Sequence, residues 1–183
     1  MGNWIFPVKK VKLGSLFGAV DQWHKAPGHR GTDYNGFAVG EPLLAVNDGT
    51  IVLNRPLAQS TVLGNVVVLK TDNNHYFGYC HMNEPSPLPV GTVVKSGDVV
   101  GKAGNTGSAS FGCHLHFTLS TTVEGVFGGK VFNAHDYIKG QIAKQKAAKP
   151  AVAPAAPAAP VAAPVHADVK VCPTCKQEIA IAK

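Results

Sequence analysis

Between residues 43 and 119 short runs of Val, Ile, Leu, Phe and Tyr are broken by Gly, Asn, Asp and Pro, which is the spacing of β-strands joined by tight turns. Leu44-Ala45-Val46 leads through Asn47-Asp48-Gly49 into Thr50-Ile51-Val52-Leu53, a hairpin signal because Asp-Gly accommodates the positive φ of a tight turn. Residues 65–70 and 75–81 flank Thr71-Asp72-Asn73-Asn74 as a second hairpin. Residues 90–94 and 99–102, on either side of Ser96-Gly97-Asp98, read as a third pair, and residues 114–119 as a last strand. The expected fold is a mainly β domain built on an antiparallel sheet.

After Asn133, a suitable N-cap, residues 134–146 carry Ile138 and Ile142 at helical spacing, which predicts one C-terminal helix closing a domain of residues 1–146. Residues 147–164 contain only Ala, Pro, Val and one Lys. That composition buries no core and favours extended conformations, so residues 147–165 are expected to be a flexible Ala/Pro-rich linker. The tail, residues 166–183, is too short to fold without a metal, a disulfide or a partner.

A chain of 183 residues fits one medium domain and a short appendage. It has no apolar run of roughly 18 residues, and its first residues lack the charged, apolar, small-residue order of a signal peptide. The expectation is a protein with no membrane anchor and no secretory address of its own. A net charge of +6 favours anionic surfaces. The lysines cluster in the first dozen residues and after residue 139, without the basic recognition element of a nucleic-acid module, so nucleic acid is not an expected partner. The four cysteines do not form a secreted disulfide framework, which fits synthesis in a reducing cytosol.

The candidate chemistry lies in two places. Cys113-His114-Leu115-His116-Phe117 puts two imidazoles on one face of an extended strand. Upstream, His29-Arg30-Gly31-Thr32-Asp33 adds a third imidazole and a carboxylate, on a Gly-rich loop entering a strand. Such donors suit a catalytic zinc. Two strand histidines also occur as a solvated edge or a buried hydrogen-bonded pair, so spacing alone leaves the metal reading open.

The pieces His29-x-x-x-Asp33, Tyr79-Cys80-His81-Met82, Gly101-x-x-Gly104-x-Thr106-Gly107 and His114-Leu115-His116-Phe117, in that order, resemble the LytM/lysostaphin-type zinc endopeptidases of bacterial cell walls. The likeness extends over about residues 16–119. It implies an antiparallel sheet with an open groove (duplicated hybrid motif-like), Zn²⁺ as cofactor, and bacterial peptidoglycan as partner and substrate. Carried across residue by residue, it implies His29, Asp33 and His116 as zinc ligands and His81 and His114 as the catalytic pair, with the division of roles between those two left open. The compact organisation suits a bacteriophage endolysin, held in the host cytoplasm until holin lesions admit it to the wall, while a virion-associated lysin would need the same site. The rival reading is a catalytically inactive wall-binding or virion structural member, which would typically have lost a ligand.

Cys113 stands where the family often has Pro, and is expected to be a packed thiol facing away from the histidines; Cys80 is read the same way. Tyr79 is either a core aromatic or a group that orients substrate. His24 is near enough to His29 in sequence to line a groove, while His75 and His135 read as surface residues. In the tail, Cys172-x-x-Cys175 with His166 offers a second metal site, incomplete in one chain. Either two tails share one zinc and form a homodimer, or the tail binds none.

Overall fold

In the computed structural model, which describes residues 2–148 and the backbone of residues 170–171 and 178–179, the chain divides into two units, Met1–Lys149 and Pro150–Lys183. The first contains β1 (Thr32–Tyr34), β2 (Pro42–Leu44), β3 (Gly49–Arg55), β4 (Asn65–Thr71), β5 (Tyr76–Met82), β6 (Val93–Val94), β7 (Val99–Lys102) and β8 (Leu115–Ser120), then helices α1 (Val123–Phe127) and α2 (Ala134–Ala148). In the second, β9 (Lys170–Val171) pairs antiparallel with β10 (Glu178–Ile179). His166, Cys172, Cys175 and linker residues 149–165 lie outside the described residues. Among the described residues no helix is long and apolar enough to cross a membrane.

Six strands form one sheet in the order β1-β8-β5-β4-β3-β6, and β2 pairs with β7 in a second, smaller sheet. Every pairing is antiparallel. Because strand side chains alternate between faces, Val67, Leu69, Phe77, Tyr79, Leu115, Phe117 and Leu119 all fall on one face and form the main core with Tyr34 and Ile51. Val66, Val68 and Cys80 fall on the other, under Val126 of α1. Asp33 and His116 belong to this second face, directly opposite each other in the β1/β8 register.

The hairpin over residues 71–74 forms as expected, since β4 and β5 pair across it. Two other expected hairpins do not. Residues 42–44 pair with β7, whereas β3 pairs with β4 and β6, so Asn47-Asp48-Gly49 turns the chain between sheets. Local turn chemistry is right there, but partner choice is set by long-range bonds. The Asp48 carboxylate accepts from the Ser96 N–H at 2.9 Å and from Lys95 Nζ at 3.2 Å, tying this turn to the one after β6. The same exchange separates residues 93–94 from 99–102. The expected closing helix runs to Ala148, two residues into the expected linker, and Asn133 caps it by accepting from the Asp136 N–H at 3.1 Å. Helix α1, not anticipated, is capped by Thr122, whose hydroxyl accepts from the Gly125 N–H at 3.1 Å.

Tyr79 resolves to the core. It is fully buried, its hydroxyl donates to the Leu44 carbonyl at 2.9 Å and accepts from the Val46 N–H at 3.2 Å, joining the two sheets. Tyr79→Phe should leave turnover unchanged and cost about 1–3 kcal/mol, because a buried N–H and a carbonyl lose their partner. Denaturant unfolding monitored alongside the activity of the same sample checks both halves.

Candidate active site

The second face of the main sheet gathers the polar residues that the sequence singles out. β1 presents Asp33, β8 presents His116, and the loop before β1 carries His29. His29 Nε2 lies 2.9 Å from His116 Nδ1 and 3.3 Å from Asp33 Oδ1, and His116 Nδ1 lies 3.1 Å from the same oxygen. All three side chains are buried. His29 Nδ1 donates to the Leu16 carbonyl at 3.1 Å, and since a carbonyl only accepts, the neutral ring presents a bare Nε2 toward the other two. Gly31 makes room: a Cβ there would stand 2.7 Å from Cε1 and 2.8 Å from Nε2 of His116.

A tetrahedral ion with bonds of about 2.0–2.1 Å needs donors roughly 3.3–3.4 Å apart. The triangle of 2.9, 3.1 and 3.3 Å is close to that spacing, and two imidazoles with one carboxylate suit a borderline divalent cation. The residues therefore fit a metal. His24 also brings a ring nitrogen within 4.8 Å of the donors of His29 and Asp33. Its Nδ1, however, is engaged by the Asp21 carboxylate at 3.1 Å, and its ring lies over that of His29 with centroids 4.0 Å apart. The tighter triangle is the better cradle, and His24 packs on it.

Two further imidazoles face the triangle. His114 Nε2 is 3.9 Å from Asp33 Oδ1, and the His81 ring centroid lies 4.7 Å from that of His114 and 5.8 Å from that of His116. Each has its Nδ1 on a carbonyl, His81 on Thr106 at 2.7 Å and His114 on Gly112 at 2.8 Å, which leaves both Nε2 atoms as lone-pair donors when neutral. His81 sits at a β-bulge. The β4/β5 register slips between Asn65 and Val67, and His81 has φ +61°. A bulge re-aims a side chain; here it sends Met82 into the main core and turns His81 to the site.

The charges follow from these contacts. Burial opposes ionisation of Asp33, yet the hydrogen bond from His116 and, when its ring is protonated, that from His29 outweigh it and hold the carboxyl well below the usual carboxylate range. Burial also opposes protonation of His29, but Asp33 raises it above the ordinary value. His116 is pushed down by burial. Burial, opposed by the Thr106 carbonyl, lowers His81 to about 4, with His116 and His114 adding to the effect. His81 is therefore neutral near pH 7.

All five residues expected from sequence are thus brought together. Of the two thiols, Cys80 departs from the expected placement and Cys113 packs as expected. Cys80 stands opposite His116 in the β5/β8 register, on the same face as the donors, but it is fully buried against Val66, Val68 and Val126, and burial pushes its pKa up. Cys113 is half-buried against the main core, with burial pushing its thiol up too. His75 and His135 are not plain surface residues: His75 lies against Tyr137, and His135 Nδ1 pairs with the Tyr34 hydroxyl at 2.9 Å while its ring stacks on Phe6. Sequence reasoning missed the anchoring carbonyls of Leu16, Thr106 and Gly112, since a backbone acceptor carries no residue signature.

A buried carboxylate facing two imidazoles, with two further imidazoles beside it on an antiparallel sheet, fits the class of metal-dependent hydrolases. The model of Peptidase family M23 matches residues 27–130, more than half of the chain and every one of the five residues, and the chain belongs to that metallopeptidase family. Its structure is similar to the catalytic domain of the antimicrobial peptidase lysostaphin from Staphylococcus simulans, with 25% identity and a TM-score of 0.61 over 70% of this chain and 92% of that one. It also resembles the catalytic domain of the prophage-encoded M23 protein EnpA from Enterococcus faecalis, with 26% identity and a TM-score of 0.57 over 68% of this chain and 89% of that one. A zinc-containing peptidase from Vibrio cholerae matches at 27% identity and a TM-score of 0.55 over 62% of this chain, which spans 35% of that longer one.

Proposed function

We propose that this chain is a zinc-dependent endopeptidase that hydrolyses peptide bonds of bacterial peptidoglycan, with His29, Asp33 and His116 holding Zn²⁺ and His81 and His114 moving protons. The donor triangle with edges of 2.9–3.3 Å carries the reading. A zinc-containing peptidase among the similar structures supports the choice of metal. The likeness to an antimicrobial peptidase supports the substrate, because cross-linked wall peptide is what such an enzyme meets on a bacterium.

Bound in the triangle, Zn²⁺ supplies a Lewis acid that polarises a carbonyl and acidifies water. The chain's own residues do the rest. Hydrolysis takes one proton from the attacking water and delivers one to the leaving amine, and His81 and His114 offer two oriented Nε2 atoms for that exchange. The carbonyls of Thr106 and Gly112 hold each Nδ1–H, so both rings keep the useful tautomer, and a protonated ring also stabilises the negative oxygen that develops. Residues 1–148, which include the whole of α2, are assigned the catalysis, and residues 149–165 the role of a tether for the tail.

We assign the enzyme to a bacteriophage as an endolysin, supported by the likeness to a prophage-encoded catalytic domain. Expression in the bacterial host together with a holin should lyse the culture, and expression of the enzyme alone should not. For the chemistry, purified sacculi treated with the full-length protein should release new amino termini with no new reducing ends. Release of reducing ends alone would replace the endopeptidase by a glycosidase.

Gly31 gives a sharper check on the metal cradle. Gly31→Ala should crowd both the His116 ring and the Phe117 carbonyl, 2.8 Å from the added Cβ, and so weaken zinc binding by about 10–100-fold, as lost support for a ligand typically does, while also lowering the unfolding midpoint of the metal-free protein. Competition with a chromophoric chelator measures it.

A further inference from the structure

Trp23 and Phe111 are the only aromatic rings among the exposed large apolar side chains of the described residues, 58% and 73% exposed. They come from separate loops and meet with centroids 4.8 Å apart and planes at 39°. Neither loop is left slack. Asp21 Oδ1 accepts from the N–H groups of Trp23 and His24, both at 2.8 Å, and the Ser110 hydroxyl donates to Asn105 Oδ1 at 2.7 Å, with the Gly112 carbonyl 3.2 Å away. Two rings held out to solvent in contact need a use, because exposed contiguous apolar surface marks a binding site.

The cavity they line, about 590 Å³, also includes Asp33 and His114 in its wall. It therefore runs up to the groups assigned to the reaction, where substrate flanking the scissile bond would lie. No Lys, Arg or Glu lines it, and Asp33, the one carboxylate, is already engaged by His29 and His116. A charged side chain resting on these exposed rings would keep its water and find no free counter-charge among the lining residues, so it gains less there than an uncharged one does. Peptide planes and methyl groups would instead stack on the two rings.

We propose that Trp23 and Phe111 form a stacking platform for the peptide on one side of the scissile bond, selecting segments whose side chains are small and uncharged. The proposal rests on the endopeptidase reading of the same site, and its test separates the two. Full-length zinc-loaded protein is titrated with tetra-alanine, and with the same peptide carrying one Glu or one Lys, while tryptophan emission is followed. Trp4, which packs on Phe77 and Tyr137, supplies a steady background. Tetra-alanine should give a saturable change, weakened about three- to tenfold by Phe111→Ala and by either charged peptide. On sacculi, Trp23→Ala and Phe111→Ala should raise KM by a similar factor with kcat moving much less, and Trp23→Phe should recover most of the loss.

Tetra-alanine that leaves the emission unchanged, charged peptides that bind as well as the neutral one, or unaltered KM in both alanine variants would overturn the platform. If sacculi are cut and KM does not respond, the platform falls and the wall activity stands. If tetra-alanine binds at Trp23 and sacculi are untouched, the platform stands and the wall reading falls.

Discussion

Asp33→Ala and His116→Ala should each lose bound zinc and, with it, wall hydrolysis by a factor of about a thousand or more. Each removes one of the three donors whose mutual distances define the site, and Asp33 is the only one that carries negative charge. Losing several kcal/mol of Lewis-acid stabilisation is a rate loss of that size. Asp33→Asn sharpens the test: it keeps the shape and the β1/β8 register but not the charge, so it too should be nearly metal-free. Metal content after dialysis, with the far-ultraviolet spectrum to show an intact sheet, checks it. A metal-free Asp33→Asn that still cuts walls would sink the ligand assignment.

His81→Asn should behave in the opposite way, keeping zinc and losing activity by roughly a hundred- to ten-thousand-fold, the usual contribution of a positioned proton-transfer group. Asn is the better replacement because His81 has φ +61°, a conformation that Asn tolerates and most side chains resist. His81→Ala should show the same kinetic loss with an added stability cost. Since burial lowers the His81 imidazole to about 4, the group is neutral throughout the range where the enzyme would be assayed. Acidification toward pH 5 should therefore not act through His81. Retained zinc with lost turnover supports a proton-transfer role, and an emptied metal site would make His81 a ligand.

The legible part of this fold was its local chemistry. The turn at residues 71–74, the Asn133 cap and the His-x-His strand each depend on neighbours in sequence, and each formed where its residues pointed. Which strand joins which is decided by distant contacts. Asn47-Asp48-Gly49 has the residues of a hairpin turn, but the Asp48 contacts with Lys95 and Ser96 help to bring β2 beside β7 instead of β3. Short elements carry the least signal, which is why the five-residue helix α1 was not anticipated.

At the site the chemistry-bearing side chains were legible and their orientation was not. His81 reaches the cleft only because the bulge in β5 breaks the strict alternation that assigns faces to strand residues. The same alternation misplaces Cys80, which the register sets on the donor face beside His116, though sealed under valines. The aromatic pair of Trp23 and Phe111 was equally hidden, because two residues from separate loops give no periodic pattern until the loops close on each other.

The most direct test is a zinc titration of chelated protein with activity on purified sacculi as the readout, using a chain with Cys172→Ser and Cys175→Ser so that only the sheet site competes for metal. Release of new amino termini should rise in proportion to zinc, stop at one equivalent per chain, and be absent in the same chain carrying His116→Ala at any zinc level. A metal-free protein that hydrolyses walls at the full rate would contradict the account, as would zinc-dependent hydrolysis that survives the loss of His116.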